Sequence, residues 1–248
     1  MFRTSLLAAA TLMAGAGAAS AQEWSGFYAG GGVGYAGGES DTALTLGGQW
    51  SIESAPVRDG LTNAWTPSLD PEGYSIGLHG GYNHQFAGGF VIGGEFGYSY
   101  FDADDRRAGS VTPIVGLTYN VINSVEIESA VDLRAKFGYS FGRFLGYATL
   151  GYSYGDVSAS AEVLSNGGYS KIGSESEWTG GLTYGLGGEF SLSGPWSIRA
   201  EYTRTDYDDV NFATIYRPGS TFTSPAYTES FEQDLTLDRF SMGVNYNF

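Results

Sequence analysis

Eight charged residues stand where their chemistry depends on what encloses them. Glu95, Asp132, Glu189 and Glu201 are the acids, and Arg134, Lys136, Arg199 and Arg239 are the bases. Each lies in a segment that alternates apolar and polar residues. Strand geometry would turn the polar set to one face, the inside of a closed sheet. In a narrow space such charges must be paired, because an unpaired buried charge is costly. Three chemistries fit the pattern: a salt-bridged plug, a narrow polar pore, or a catalytic acid–base pair. Centring the turn at 193–195 on Gly194 sets Glu189 opposite Arg199. Glu95 falls at the height of Arg134 and Lys136, and Glu201 is expected to reach Arg239.

The two histidines and the acidic clusters are the other chemically equipped groups. The alternation points His79 into the lumen and His84 toward lipid near the inner interface. Neither has a hydroxyl nucleophile and an orienting carboxylate at readable spacing, so no catalytic site is assigned. Asp102, Asp104 and Asp105, followed by Arg106 and Arg107, form one outer cluster, and Asp206, Asp208 and Asp209 form another. Such carboxylates can be solvated surface charge, or can meet phosphates on a neighbouring surface through divalent ions. The spacing is not that of a Ca²⁺-binding EF-hand loop. The glycine-rich runs sit inside strands without a following helix, so they are not phosphate loops. No metal and no cofactor is expected.

The elements that must position these residues are strands. Eight segments alternate with a period of two: roughly 24–36, 73–86, 89–101, 129–141, 144–157, 177–192, 196–207 and 233–248. Three connections are tight and hold glycine: 87–89, 142–143 and 193–195. Glycine suits hairpin turns that need unusual backbone angles. The other four, roughly 37–72, 102–128, 158–176 and 208–232, are long and polar. Short and long alternate strictly, which predicts an all-β fold: an eight-stranded antiparallel transmembrane β-barrel with short periplasmic turns and long extracellular loops. Ala43-Leu44-Thr45-Leu46 and Gln49-Trp50-Ser51-Ile52 are strand-like. They read as extensions above the membrane, with a ten-stranded barrel as the alternative.

The chain ends bear on the same reading. Phe240, Met242, Val244, Tyr246 and Phe248 alternate with polar residues and glycine, over about the length a tilted strand needs to cross a bilayer. At the other end, Arg3 precedes an apolar run from Ser5 to Ala19, and Ala19-Ser20-Ala21 is a small-x-small cleavage site. Residues 1–21 are therefore expected to be a cleaved secretory signal peptide and 22–248 the barrel domain. The chain has no cysteine, 12 basic and 27 acidic residues, and a net charge of −15. That balance disfavours nucleic acid as a partner. A soluble β-sandwich would also alternate, but its turns need not sort into a short and a long end.

Several strand motifs resemble one family. They are Trp24-Ser25-Gly26-Phe27-Tyr28-Ala29-Gly30, Gly80-Gly81-Tyr82-Asn83 with Phe90-Val91-Ile92-Gly93-Gly94-Glu95, Leu133-Arg134-Ala135-Lys136-Phe137-Gly138-Tyr139, Trp196-Ser197-Ile198-Arg199-Ala200-Glu201-Tyr202, and Val244-Asn245-Tyr246-Asn247-Phe248. Together they are similar to the small alphaproteobacterial outer-membrane β-barrel proteins, surface antigens and haemin-binding proteins of the OmpA-like and opacity-protein superfamily. The resemblance covers the strands and none of the loops. It implies the outer membrane as location, outer-membrane lipid and lipopolysaccharide as surroundings, and the barrel-assembly machinery as a partner in biogenesis. It also implies that Phe248 is the assembly signal. A structural or surface-contact role is expected; a small-solute channel is the alternative, and an envelope-lipid enzyme or haemin binder a remote one. No haemin-binding residue carries over.

Overall fold

The computed structural model describes residues 23–248, so the expected signal peptide lies outside the described residues. The strands are β1 (Gly26–Glu39), β2 (Thr42–Gly48), β3 (Glu72–Gln85), β4 (Phe90–Ile114), β5 (Leu117–Phe141), β6 (Phe144–Ser165), β7 (Ser170–Ser191), β8 (Trp196–Ala213), β9 (Ile215–Tyr216) and β10 (Tyr227–Asn247). β1 pairs with both β3 and β10, so β1, β3, β4, β5, β6, β7, β8 and β10 close a ring of eight antiparallel strands. β2 continues β1 along β10 in unbroken register, from Glu39↔Thr236 to Thr42↔Gln233. It is an extension of the first strand, and the ten-stranded alternative does not hold. Gln49–Ile52 is a 3-10 turn instead of a strand.

The outward face carries the apolar alternation into lipid-facing positions. Cross-strand aromatic pairs lie near the short turns: Phe27–Tyr82 at 5.0 Å, Phe90–Tyr139 at 5.2 Å and Trp196–Tyr246 at 5.1 Å between ring centroids. A second set, Tyr35–Tyr74 at 5.5 Å and Tyr154–Trp178 at 5.7 Å, lies toward the opposite end. Two aromatic girdles flanking Val33, Ile76, Leu133 and Met242 are the pattern of a membrane-crossing barrel. Gly142, at φ +67°, makes the tight β5–β6 turn in a backbone region that L side chains avoid.

Two of the expected outer loops are mostly strand. Residues 102–128 form the upper arms of β4 and β5, and 158–176 those of β6 and β7. Above the membrane the exterior becomes water, so the inward face becomes the apolar one. Phe101, Ala103, Val121, Val125, Val157, Ala159 and Val163 point in and are buried, while Asp102, Asp104 and Glu126 point out. In β5 and β8 the inward parity also changes. Inward positions run Asp132, Arg134, Lys136 below and Val121, Val125, Ile127 above in β5, and Arg199, Glu201, Thr203 below and Val210, Phe212 above in β8. Pairing irregularities stand at these crossovers, between Ile127 and Ser129 and opposite Gln233–Leu235.

An unforeseen helix, α1 (Ala55–Trp65), fills the upper barrel. Pro56 stands in its first turn, where a missing N–H costs nothing. Val57, Leu61, Ala64 and Trp65 share one face. Leu61 and Trp65 are fully buried, and Trp50 packs beside Trp65 at 5.8 Å. Asn123 Nδ2 donates to the Trp65 carbonyl at 2.8 Å, satisfying a helix-end acceptor.

Candidate functional site

All eight sequence-selected charged residues face the lumen. Glu95, Asp132, Arg134, Lys136, Glu189, Arg199 and Glu201 are buried, and Arg239 is nearly so. β4 and β8 stand four places apart in the ring of eight, so their inward side chains meet across its diameter. Arg199 Nη1 reaches Glu95 Oε2 at 2.5 Å and Nη2 reaches Oε1 at 2.9 Å. From the neighbouring strand Arg134 Nη2 donates to Glu95 Oε1 at 2.6 Å, and Lys136 Nζ stands 3.4 Å from Oε2. One carboxylate thus gathers three cations. Glu201 takes up the excess, accepting from Arg199 Nη2 at 2.5 Å and Arg134 Nη1 at 3.2 Å.

Two expected pairings differ. Glu189 lies opposite Arg199 in backbone register, yet its carboxylate accepts from Ser197 and, at 2.8 Å, from Asn245 Nδ2. Arg199 is long enough to pass its neighbour and reach the doubly attractive Glu95. Glu201 likewise turns to Arg134 and Arg199, leaving Arg239 to Asp132 at 3.9 Å and Ser99 Oγ at 2.5 Å. Register sets which backbones face each other; in a narrow lumen, reach across the axis sets which charges meet.

Tyrosines complete the layer and were missed from sequence. Tyr28 Oη donates to Glu95 Oε2 at 2.7 Å and accepts from Lys136 Nζ at 2.8 Å. Lys136 lies between the Tyr28 and Tyr147 rings, 4.4 and 4.7 Å from their centroids. A Cβ at Gly187 would meet the Tyr147 ring at 2.4 Å, so only glycine lets that ring lie against the wall. The parity of Tyr28 and Tyr147 was a readable signal, hidden because tyrosine counts as apolar. His79 is in the lumen, 2.6 Å from Asn245 Oδ1, and His84 is exposed against Phe86. The cavity beside the charged layer is about 40 Å³, bordered by His79, Asp132, Arg134, Arg199, Glu201 and Arg239.

A second buried ion pair lies in the upper barrel, in segments read as loops. Glu229 is fully buried and accepts from Trp50 Nε1 at 2.6 Å, Tyr169 Oη at 2.5 Å, Lys171 Nζ at 2.5 Å and Thr214 Oγ1 at 2.5 Å. It joins the first outer connection to β7, β10 and the segment after β8. Burial, then the Glu229 charge, push the Tyr169 phenol far above its ordinary range, so it stays a donor. Outside, the acidic cluster is an ion-paired clasp. Asp105 accepts from the Asp70 N–H at 2.8 Å and Arg107 Nε at 2.8 Å, and Arg107 Nη2 also reaches Asp70 at 2.9 Å. Partial burial opposes ionisation of Asp105, but these donors hold its carboxyl below the usual range. Among the described residues no cluster of three or more His, Asp or Glu is arranged to hold a metal.

The family model "Outer membrane protein beta-barrel domain" matches residues 6–248. The chain belongs to this outer-membrane barrel family. As a member it resides in the outer membrane and crosses it with strands; among the described residues no helix is long and apolar enough to span. The barrel is similar to the "31 kDa outer-membrane immunogenic protein" of Brucella melitensis biotype 1 and of Brucella suis biovar 1. Each is 26% identical over 259 residues, covering 100% of this chain and 95% of the relative. Among solved structures, the outer membrane protein OprG from Pseudomonas aeruginosa is 12% identical with a TM-score of 0.49, covering 93% of this chain and 99% of that one. The Ail protein of Yersinia pestis is 16% identical with a TM-score of 0.35, covering 90% and 99%.

Proposed function

We propose that this protein is a closed, non-conducting outer-membrane barrel that supports the envelope and makes surface contacts through its outer end. The observation that carries this reading is the layer on Glu95: three cations on one carboxylate across the barrel diameter, with a cavity of about 40 Å³ beside it. A space of that size holds about one water and no hydrated solute. The apolar core around Leu61 and Trp65 adds a second closure above. The role is non-enzymatic: His79 engages the Asn245 amide and no activated hydroxyl. The aromatic girdles support lipid and lipopolysaccharide as the surrounding partners, and the pairing of Phe248 with Phe27 supports Phe248 as the signal read by the assembly machinery. The word "immunogenic" in the Brucella relatives' name supports an outer end exposed at the cell surface.

Planar-bilayer recording of the refolded full chain tests the closed lumen. Silence under applied voltage is expected. Stable unitary conductance would replace this reading with that of a narrow channel.

A further inference from the structure

All four outer connections converge on one aromatic recess at the tip of the barrel. Trp50 and Glu53 come from the segment after β2, Leu117 and Tyr119 from the β4–β5 hairpin, Tyr169 from the β6–β7 turn, and Phe222 and Tyr227 from the approach to β10. The recess encloses about 170 Å³. For scale, a cavity of about 150 Å³ admits benzene.

Its walls are rings set at steep angles. The Trp50 ring centre is 5.8 Å from Tyr119, 6.0 Å from Tyr169 and 4.4 Å from Tyr227, with interplanar angles of 70°, 74° and 65°. Tyr119 and Tyr169 stand 6.0 Å apart at 75°. The polar edges of Trp50 and Tyr169 are spent on Glu229 beneath them. That carboxylate is already matched by Lys171, so the floor is neutral. These two rings are almost fully buried and back the recess from beneath, so its accessible aromatic surface comes from Tyr119, Tyr227 and Phe222.

At the mouth, Glu53 is half-buried and lines the recess beside Tyr227. Among the described residues it forms no ion pair with any Lys, Arg or His. Phe222 borders the recess at φ +59°, a left-handed conformation that a bulky L residue rarely adopts. An observed strain of this kind, at a rim, is a pointer to function.

Several π walls and one uncompensated carboxylate attract a cation. A primary ammonium would bring three N–H donors to a recess poor in acceptors, leaving some unsatisfied. A quaternary ammonium brings none. We propose that this recess binds a trimethylammonium group, held by Tyr119, Tyr227, Phe222 and the charge of Glu53, with Trp50 and Tyr169 packed behind these rings. The group could arrive as a free quaternary ammonium ion or as the headgroup of a choline lipid. The proposal deepens the surface-contact reading and rests on it for the outward orientation of the tip. Bilayer conductance tests that reading separately, so the two failures are distinguishable.

The test is calorimetric titration of the refolded full chain in octyl glucoside, at constant ionic strength, with tetramethylammonium chloride and choline chloride. The uncharged choline isostere 3,3-dimethylbutan-1-ol is the control. Saturable binding is expected for both cations, with the isostere weaker by about tenfold. Glu53→Gln and Tyr119→Leu should each weaken tetramethylammonium by about fivefold or more while keeping heat-modifiable gel mobility. Dihexanoylphosphatidylcholine, below its micelle concentration, separates the sources: binding like choline assigns a lipid headgroup, and binding of the free ions alone assigns a soluble one. The proposal is overturned if wild type shows no saturable heat, if the isostere binds as well as the cation, or if Glu53→Gln folds and binds as wild type. The isostere comparison needs no variant, so a misfolded Tyr119→Leu leaves the test intact.

Discussion

Glu95 on β4 and Arg199 on β8 form a bidentate ion pair across the full diameter of the barrel, at 2.5 and 2.9 Å. Opposite strands never hydrogen-bond to each other in a ring of eight. This pair therefore braces the wall in a direction the backbone ladder does not.

Removing one arm of that brace leaves a buried carboxylate short of a partner. Arg199→Ala should lower the unfolding free energy by about 3–5 kcal/mol. Arg217→Ala breaks only the partly exposed Glu162 pair and should cost no more than about 1 kcal/mol. Urea unfolding in lipid vesicles, followed by tryptophan fluorescence, measures both. Equal midpoints for the two variants would mean that the lumen pair is fully solvated.

The upper closure is held by Glu229 and Trp65. Trp65→Ala empties a fully buried site and should cost about 3–5 kcal/mol locally. Glu229→Ala strands Lys171 and releases the Trp50, Tyr169 and Thr214 donors together. Both variants should expose residues 49–70 to added protease while the membrane segment keeps its heat-modifiable mobility. Unchanged cleavage in both would dissociate this helix from the stability of the tip.

The Asp70–Asp105–Arg107 clasp makes the first outer connection acid-sensitive. The Asp105 carboxyl is held below its ordinary value of 3.8 in the fold. A depressed value contributes stability above the unfolded value, and that contribution is lost as pH falls through the folded one. Hydrogen-exchange protection of the Asp70 amide, which donates to Asp105, should hold at 3.8 and above and decline below it. Asp105→Asn should remove the pH dependence. Protection that stays constant through the acid range in wild type would show that the clasp does not control this segment.

Orientation can be read from a chain that has no native cysteine. A membrane-impermeant maleimide added to whole cells should label Thr223→Cys in the outer connection and spare Ser193→Cys in the β7–β8 turn. Both positions are exposed, so access alone separates them. Labelling of Ser193→Cys and not Thr223→Cys would invert the barrel.

Phe248 closes the ring's last strand. Its N–H donates to the Phe27 carbonyl at 2.9 Å, and its ring packs on Tyr246 at 5.1 Å. Deleting it should reduce folded protein in the outer membrane with little change in total synthesis. Wild-type levels of heat-modifiable protein after deletion would count against an assembly role.

The membrane-level barrel was legible because lipid outside and a polar lumen inside impose a strict period of two. That alternation placed His79, Arg199 and the other selected charges inward, and the glycine-bearing turns at 142–143 and 193–195 sorted the two ends. The same rule failed above the membrane. There water replaces lipid outside, the apolar face turns inward, and β5 and β8 change parity, so 102–128, 158–176 and the outer end of β8 read as polar loops. Helix α1 had a local signal in Pro56 and in the spacing of Val57, Leu61 and Trp65, masked by the polar residues around it. Pairing between adjacent strands was legible, as where Glu95 meets Arg134 and Lys136, but pairing across the lumen lay beyond the sequence. Glu95 and Arg199 are 104 positions apart and Glu229 and Trp50 are 179, and only ring closure sets their separation in space. Sequence fixes which face a side chain takes through backbone geometry; the charge it meets depends on the width of the closed barrel and on the length of the side chains that cross it.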